Sequence, residues 1–480
     1  MLTAVAALVA CSGGGDGQGA ATTTSARPTT TAVATTTTEA AVEGAASLGD
    51  PYYPGLGNAG YDVASYDLAL DVDPTGDGAL DGVATIEATA TETLSSFHLD
   101  LAGLEVASVT IDDVPAVTTR EGAELRIEAP AALAAGTAFT TVVRYRGTPQ
   151  PVDSGVDVLP DVGWFDLPGD AGSYVLSEPA GASTWFPVND HPADKATYTF
   201  RVTVPEGMEA AANGVLDGSE TAGGRTTWTW RMDDPMASYL AIVVIGQLTF
   251  EDAGSAAGVP IRNVYADAVA ASAGRTFARQ GEMLEFFAGQ FGPYPFDAYG
   301  AVVVDADLFV ALETQTMALF GRDILGGGEL VVAHELAHQW FGNAVSPATW
   351  QDIWLNEGFA TYAQWLWFEH RGLMTVAASA GEAHDQLARS GLGDLPPGDP
   401  GVEGLFHPSV YERGALTLHA LRNAIGDDAF FATLRQWVAD HSGGAASTAD
   451  FQSLAEQVSS TDLQALFDEW VYAPELPALP

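Results

Sequence analysis

The sequence predicts a multidomain fold of the β plus α/β class, in which an N-terminal antiparallel β domain is followed by a mainly helical domain. The 480 residues exceed what one hydrophobic core organises, so two or three domains are expected. Apolar and polar residues alternate between residues 55 and 250, which is typical of half-buried strands. From residue 251 onward, apolar residues recur every three or four positions, which is the period of a helix.

The first 54 residues predict a targeting segment and a spacer. Residues 2–10 are small and apolar, and residues 8–11 (Leu-Val-Ala-Cys) resemble a bacterial lipobox. Cys11 is the only cysteine, so no intramolecular disulfide can form. We expect residues 1–11 to be a lipoprotein signal, with a lipid on Cys11 anchoring an extracytoplasmic protein to the cell membrane. Residues 12–54 are rich in Gly, Thr, Ala and Ser, which predicts a disordered tether.

The predicted β domain covers residues 55–250. Its alternation is clearest over residues 66–72, 198–204 and 228–232, where large apolar residues occupy every second position. Turns rich in Gly, Asp and Pro separate these segments. The pattern favours a large antiparallel sandwich or saddle.

Helical patterns dominate the second predicted domain. A helix is expected over residues 277–291 and a strand over residues 299–304, followed by helices over residues 329–341 and 353–370. Thr461 and Gln464 have the spacing of a capping box, which predicts a further helix that ends near residue 471.

Two histidines four residues apart indicate a metal site. His334 and His338 would lie on one face of the predicted helix over residues 329–341, and Glu357 would reach them from the predicted helix over residues 353–370. Two imidazoles and one carboxylate form a catalytic zinc set with an open fourth position. Glu335 follows the first ligand and is placed to act as a general base. This arrangement predicts one zinc ion per chain and metal-assisted amide hydrolysis.

The charge balance excludes some partners. The net charge is −45, from 63 acidic and 18 basic residues. Nucleic acid and anionic membrane surfaces would be repelled, so neither is an expected partner, and the membrane is reached only through Cys11. The excess acid is expected mainly to keep the surface soluble, and it favours neutral or cationic peptides.

Short segments in both halves of the chain share their order with a known family. They are Ser-Glu-Pro at 177–179, Trp-Phe-Pro at 185–187, Lys-Ala-Thr at 195–197, Leu-Glu-Thr at 312–314, His-Glu-Leu-Ala-His-Gln-Trp-Phe-Gly-Asn at 334–343, Trp-Leu-Asn-Glu-Gly-Phe-Ala at 354–360 and Tyr-Glu-Arg-Gly-Ala at 411–415. Over residues 55–475 the chain resembles the aminopeptidase N family of gluzincin metallopeptidases. The resemblance implies a thermolysin-like zinc catalytic domain over residues 251–480, in a short form without the family's C-terminal helical domain and therefore with a more open cleft.

The resemblance also implies roles for individual residues. Glu313 and Glu178 would bind the α-amino group of the substrate, and Tyr411 would stabilise the oxyanion. Independently of the resemblance, Asn356 and Asp352 are candidates to support the metal ligands from behind, although exposed helix positions are the favoured interpretation for both.

Taken together, these features predict a zinc aminopeptidase that removes N-terminal residues from peptides. Two alternatives stay open at this point. One is a metallo-endopeptidase or another hydrolase with an altered substrate, and the other is an inactive binding or scaffold protein. The sequence does not indicate the oligomeric state or the preferred N-terminal residue.

Overall fold

The computed structural model describes residues 40–76, 78–169, 171–326 and 328–479. The predicted signal segment, with Cys11, and residues 12–39 of the predicted tether lie outside this part. The described strands are β1 (Val42–Glu43), β2 (Tyr61–Val72), β3 (Leu80–Ala90), β4 (Leu94–Asp100), β5 (Glu105–Ile111), β6 (Val114–Pro115), β7 (Val117–Glu121), β8 (Glu124–Leu133), β9 (Ala138–Gly147), β10 (Val152–Asp153), β11 (Asp161–Asp166), β12 (Gly172–Leu176), β13 (Lys195–Pro205), β14 (Glu209–Ala212), β15 (Val215–Ala222), β16 (Arg225–Ala237), β17 (Val243–Gly246), β18 (Leu248–Ala256), β19 (Val259–Ala266), β20 (Ala301–Val304), β21 (Ala311–Leu312), β22 (Ala318–Gly321), β23 (Val345–Pro347) and β24 (Gly444–Ala446).

The described helices follow the same chain order. They are α1 (Ala270–Thr276), α2 (Gln280–Phe291), α3 (Glu329–Ala337), α4 (Trp354–His370), α5 (Val376–Ser390), α6 (Pro408–Ile425), α7 (Asp427–His441), α8 (Thr448–Ser459) and α9 (Gln464–Phe467), which continues as a π-helical turn, Asp468–Tyr472. No helix in the described ranges is long and apolar enough to cross a membrane.

Three sheets build the N-terminal part. The largest has the order β15-β16-β13-β2-β3-β9-β5-β6, and all its pairings are antiparallel except that of β13 with β2. One strand face is buried and the other is partly exposed, as the alternation predicts. Tyr66 and Tyr198 stack at 5.0 Å between ring centroids, and Phe186 meets both edge-on. This aromatic packing joins the large sheet to the segment after β12, which enters the cleft.

The second part combines a mixed sheet with helices. The sheet has the order β18-β19-β20-β22-β21, with β20 parallel to both of its neighbours. Because β18 begins at Leu248, the expected boundary between residues 250 and 251 cuts through a strand of this sheet. Edge strand β21 ends at Leu312, which places Glu313 at the rim of the sheet facing α3.

Helices α4 and α6 approach each other closely at two glycines. A Cβ atom added to Gly358 would lie 2.8 Å from the backbone of Gly414, and one added to Gly414 would lie 2.9 Å from Cα of Gly358. Any side chain at either position would force the two backbones apart, because protein interiors are close-packed. This contact holds the helix with Glu357 against the helix with Tyr411.

Two local predictions differ from the structure. The predicted helix over 277–291 is present but begins only at Gln280, after the separate α1. Thr461 and Gln464 form no capping box: α9 begins at Gln464, its N-cap Leu463 gives no side-chain hydrogen bond, and the Thr461 hydroxyl donates instead to the Ser459 carbonyl. A capping box with both reciprocal bonds occurs at α8, where it joins Ser447 and Asp450.

The tether prediction is also wrong for residues 42–54. Strand β1 pairs in parallel with β4. Asp50 is 1% exposed and accepts the Trp350 backbone N–H at 2.8 Å. The hydroxyls of Tyr52 and Tyr53 donate to Asp399 and to the Ser154 carbonyl, both at 2.8 Å. Residues 50–53, here called the strap, therefore connect loops of both parts of the molecule. The composition is that of a tether, but the two tyrosines and Asp50 supply the contacts that order it.

Candidate zinc centre and active-site cleft

Two buried helices bring the three predicted metal ligands together. His334 lies in α3, His338 is at its C-terminal end, and Glu357 lies in the first turn of α4. Nε2 of His334 and Nε2 of His338 lie 3.1 Å and 3.5 Å from Oε2 of Glu357. The three side chains are at most 8% exposed. The predicted helix over 329–341 is shorter than expected, yet the four-residue spacing still puts both imidazoles on one side.

The donor set fits a zinc ion. One ligand atom from each of the three residues lies within 4.8 Å of the other two. Nδ1 of His338 lies 3.1 Å from the Phe341 carbonyl and, as the donor there, leaves Nε2 free to bind a metal. Two imidazole nitrogens and a carboxylate oxygen are the ligands of many catalytic zinc sites. All three residues line the cleft, so a metal ion held by them would be accessible to a substrate.

The pocket has a strongly negative potential. Burial lowers the pKa of His338, but the carboxylates of Glu313 and Glu357 outweigh burial and raise it to about 10. Burial raises the pKa of Glu357, but the two histidines outweigh it and lower that pKa to about 2. Both shifts have the same meaning: the carboxylates stabilise positive charge at this place. Such a field favours a divalent cation.

The predicted base and the predicted oxyanion donor flank the ligands. Glu335 is 4% exposed, and burial raises its pKa well above the ordinary value. Tyr411, in α6, stacks on His334 with 5.9 Å between ring centroids. Burial, reinforced by the surrounding carboxylates, raises the pKa of the Tyr411 hydroxyl well above its usual range. Tyr411 therefore keeps its proton and can donate a hydrogen bond.

Glu178 and Glu313 form a second acidic pair next to the metal ligands. Each is 3% exposed, and its Oε1 atom has no hydrogen-bond partner among the described residues. Oxygen atoms of Glu178, Glu313 and Glu357 lie within 4.8 Å of one another. Burial and the charge of Glu313 raise the pKa of Glu178 well above its ordinary value. A buried pair of this kind is stabilised by a cation or a strong donor placed between the two carboxylates.

The segment after α3 holds Glu313 in place. Gln339 Nε2 and Asn343 Nδ2 donate to the Glu313 carbonyl at 3.0 and 2.6 Å. Lys195 Nζ, from the first residue of β13, donates to the Asn343 and Ala344 carbonyls at 2.8 and 3.0 Å. None of these three residues has a role in the sequence-based predictions. Two features of the sequence point to Lys195: it is the only lysine in the chain, and it begins the Lys-Ala-Thr segment on which the family resemblance partly rests.

The two candidate supporting residues, Asn356 and Asp352, form hydrogen bonds in different parts of the molecule. Asn356 Nδ2 donates to the Tyr239 hydroxyl at 3.3 Å, and that hydroxyl donates to the Gly342 carbonyl at 2.9 Å. Asn356 thus supports the turn that carries the carbonyl partner of His338. Asp352 instead accepts from the Thr448 backbone and hydroxyl at 2.9 and 2.7 Å, so it fixes the start of α8 rather than a metal ligand. Of the two candidates, only Asn356 contacts the metal-ligand region, and it is fully buried rather than on the helix surface.

Two cavities meet at the site. One of about 270 Å³ contains the metal ligands, both members of the acidic pair and an apolar wall. That wall consists of Val158, Leu159, Val310, Ala311, Leu312 and Phe406. The other cavity, of about 360 Å³, shares only His334, Glu335, Phe406 and Tyr411 with the first. A substrate can therefore extend to both sides of Glu335 and Tyr411.

Comparisons with known proteins agree with this geometry. Residues 63–240 match the peptidase M1 N-terminal domain, and residues 275–470 match the peptidase family M1 domain. An M1 zinc metallopeptidase from Deinococcus radiodurans is 34% identical, with a TM-score of 0.85 over 90% of this chain and 99% of that chain. The chain belongs to peptidase family M1. The predicted family, its two-domain fold, the peptidase class and the zinc requirement are thereby confirmed.

Other relatives describe the scope of the family. A substituted form of the Deinococcus enzyme has been solved with a Tyr-Ser-Ala substrate and is 35% identical, with a TM-score of 0.84. Aminopeptidase M1 of Arabidopsis thaliana is 27% identical over 317 residues, which are 61% of this chain. The match spans only 36% of the length of the plant protein. The roles of individual site residues stay predictions that rest on the geometry described above.

Proposed function

We propose that this M1 peptidase is an aminopeptidase that removes single residues from the free N-terminus of peptides. The observation that carries the proposal is the buried pair Glu178 and Glu313, whose Oε1 atoms have no hydrogen-bond partner in the described structure. A free N-terminus brings a backbone ammonium group that compensates two desolvated carboxylates; an internal amide does not. This argues against the endopeptidase alternative.

The remaining residues supply the chemistry of amide hydrolysis. Zinc held by the three ligands supplies Lewis acidity, which polarises the scissile carbonyl and acidifies water. Glu335 is positioned to take a proton from the attacking water and to pass it to the leaving amine. Tyr411 donates a hydrogen bond to the oxygen on which negative charge develops. A scaffold protein needs none of these groups, which argues against the inactive alternative.

The proposal is tested by comparing aminoacyl-anilides with N-blocked peptides of the same residue. We expect hydrolysis of the free substrates to be much faster than that of the blocked peptides, loss of activity after chelation, and recovery when zinc is returned. Equal cleavage of blocked peptides would support the endopeptidase alternative. No hydrolysis of any substrate with zinc at full occupancy would support an inactive protein.

We also propose that Cys11 carries a lipid that anchors the protein on the extracytoplasmic face of the membrane. The support is the lipobox-like sequence at residues 8–11. A buried acyl chain contributes about 0.8 kcal/mol per CH₂ group, and a stable anchor needs more than one chain. Cys11→Ser should move the protein from the membrane pellet to the soluble fraction. A variant that stays in the pellet, or an unmodified Cys11 in the mass spectrum of the native protein, contradicts the proposal.

A further inference from the structure

The second cavity lies on the leaving-group side of the cleft. If the acidic pair binds the substrate ammonium in the first cavity, the scissile bond lies between the ligands, Glu335 and Tyr411. The peptide beyond that bond then continues into the cavity of about 360 Å³, which shares Glu335 and Tyr411 but neither Glu178 nor Glu313. The side chain of the second substrate residue enters there. This placement rests on the proposed function.

Glu412 gives this cavity an uncompensated carboxylate. It follows Tyr411 on α6 and lines the second cavity but not the first. Its Oε2 atom is buried and accepts no hydrogen bond from any described residue. Burial raises its pKa, and no cationic side chain among the described residues counteracts the effect. Arg413, the next residue, donates to four backbone carbonyls and forms no ion pair with Glu412.

The other residues that line this cavity bring no positive charge of Lys or Arg type. Gln364, on α4, donates from Nε2 to the Leu330 carbonyl at 3.3 Å. Thr361 lies beside it in the lining, and Val331 and Pro408 contribute apolar wall. A long side chain that ends in a cation packs its methylene groups on such apolar walls and places its charge at a carboxylate.

We propose that Glu412 is a specificity-determining residue that selects substrates with Lys or Arg as the second residue. A cationic side chain pairs with the Glu412 carboxylate and offsets the cost of its burial. An acidic second residue is rejected by like-charge repulsion in the same cavity. The proposal concerns the released peptide, so it is independent of the preference for the N-terminal residue.

The test uses three tripeptides that differ only in the middle residue: Ala-Arg-Ala, Ala-Gln-Ala and Ala-Glu-Ala. The zinc-loaded wild type should show the highest kcat/KM for the arginine peptide, about tenfold above the glutamine peptide, which corresponds to ~1.4 kcal/mol. In Glu412→Gln this ratio should fall towards one. Glu382→Gln is the matched control because Glu382 is an exposed carboxylate on α5, outside both cavities. It removes the same charge and should keep the ratio.

Measurements at different salt concentrations distinguish a direct contact with Glu412 from the general attraction of cationic peptides to a protein with net charge −45. Long-range attraction is screened at high salt, whereas a partly buried pair is screened much less. A preference for arginine that survives 0.5 M salt and disappears in Glu412→Gln supports the proposal. A wild type that cleaves all three peptides equally overturns it, as does a ratio unchanged in Glu412→Gln. No cleavage of any peptide, nor of alanine anilide, would instead refute the proposed aminopeptidase function itself.

Discussion

At the scale of residues, the cleft concentrates negative charge where two cations must meet. Glu178, Glu313, Glu335 and Glu357 are all buried, and each is at most 4% exposed. Isolated carboxylates are expensive to bury, so the cluster is stabilised by a metal on one side and by a substrate ammonium on the other. Structure and chemistry are therefore linked directly: the same desolvation that costs stability in the free enzyme strengthens binding of cations.

The first prediction concerns Glu335. Glu335→Gln should bind zinc normally, because the amide is nearly isosteric and the three ligands are unchanged. Turnover should fall by about 10²–10⁴-fold, since an amide cannot accept the proton of the attacking water. Zinc content and turnover are measured on the same preparation. Near-normal activity at full zinc content would exclude Glu335 as the base.

The second prediction concerns Glu313. Glu313→Ala should lower kcat/KM for aminoacyl-anilides by roughly tenfold to a thousandfold, because it removes one partner of a buried charge pair. N-blocked peptides carry no ammonium group, so their slow cleavage should change little. The two substrates are compared at fixed pH and salt. Equal losses on both would mean that Glu313 serves the structure or the chemistry in general.

At the scale of elements, helices α3, α4 and α6 provide the ligands, the base and the oxyanion donor. Their mutual positions depend on the close contact of Gly358 with Gly414 and on links from the β domain. One of these links is Lys195, which is half-buried at the start of β13 and donates to two carbonyls of the segment after α3. A strand of the large sheet thus helps to fix the position of Glu313 through Asn343.

The third prediction tests this link. Lys195→Met should lower the free energy of unfolding by about 1–3 kcal/mol, because the Asn343 carbonyl is left buried without its donor. The loss is measured by urea denaturation at constant zinc. It should be accompanied by a higher KM for free N-terminal substrates, since the backbone that positions Glu313 is released. Lys195→Arg keeps the donors and is the matched control. A Met variant with unchanged stability and KM would contradict the role of Lys195.

Local sequence patterns predicted the helices that carry the catalytic residues. They did not predict contacts between residues that are far apart in the chain. The spacing of His334 and His338 fixes their common helix face, so that part of the site follows from the sequence. Glu178 and Tyr411 were assigned only through resemblance, because they come from segments far apart in the chain. The false capping box at Thr461 shows the limit of short motifs: the right residue types were present, but the Thr461 hydroxyl bonds to Ser459 instead.

At the scale of the whole molecule, some acidic side chains are buried in the core, although most lie on the surface. Asp100, Asp190 and Asp194 lie in the core of the β domain and are at most 8% exposed. Burial raises the pKa of Asp190 and of Asp194 to about 7, and it also raises that of Asp100. Asp190 accepts the Ser238 hydroxyl at 2.7 Å, and its backbone N–H donates to Asp100. The folded state therefore keeps protons that the unfolded chain releases near pH 4.

The fourth prediction follows from this difference in proton binding. Between about pH 4 and pH 7 the folded protein binds more protons than the unfolded chain, so the free energy of unfolding should fall as the pH rises. The slope is up to about 1.4 kcal/mol per pH unit for each such group. Asp190→Asn should flatten the profile, because the amide does not titrate and still accepts the Ser238 hydroxyl. Urea midpoints across this pH range, at fixed salt, provide the check. A slope equal to that of the wild type would contradict the buried-acid explanation.

The strap sets the gap between the two walls of the cleft. Tyr53 holds the Ser154 carbonyl, next to the loop with Val158 and Leu159, and Tyr52 holds Asp399 on the side of Phe406. These four residues thus tie the loops on the two sides of the cleft to each other, and the width of peptide that the cleft admits depends on the separation of those loops. A recombinant protein trimmed at residue 55, at the apparent end of the low-complexity region, would lose this spacer. Its kinetic constants would then describe a looser enzyme than the natural one.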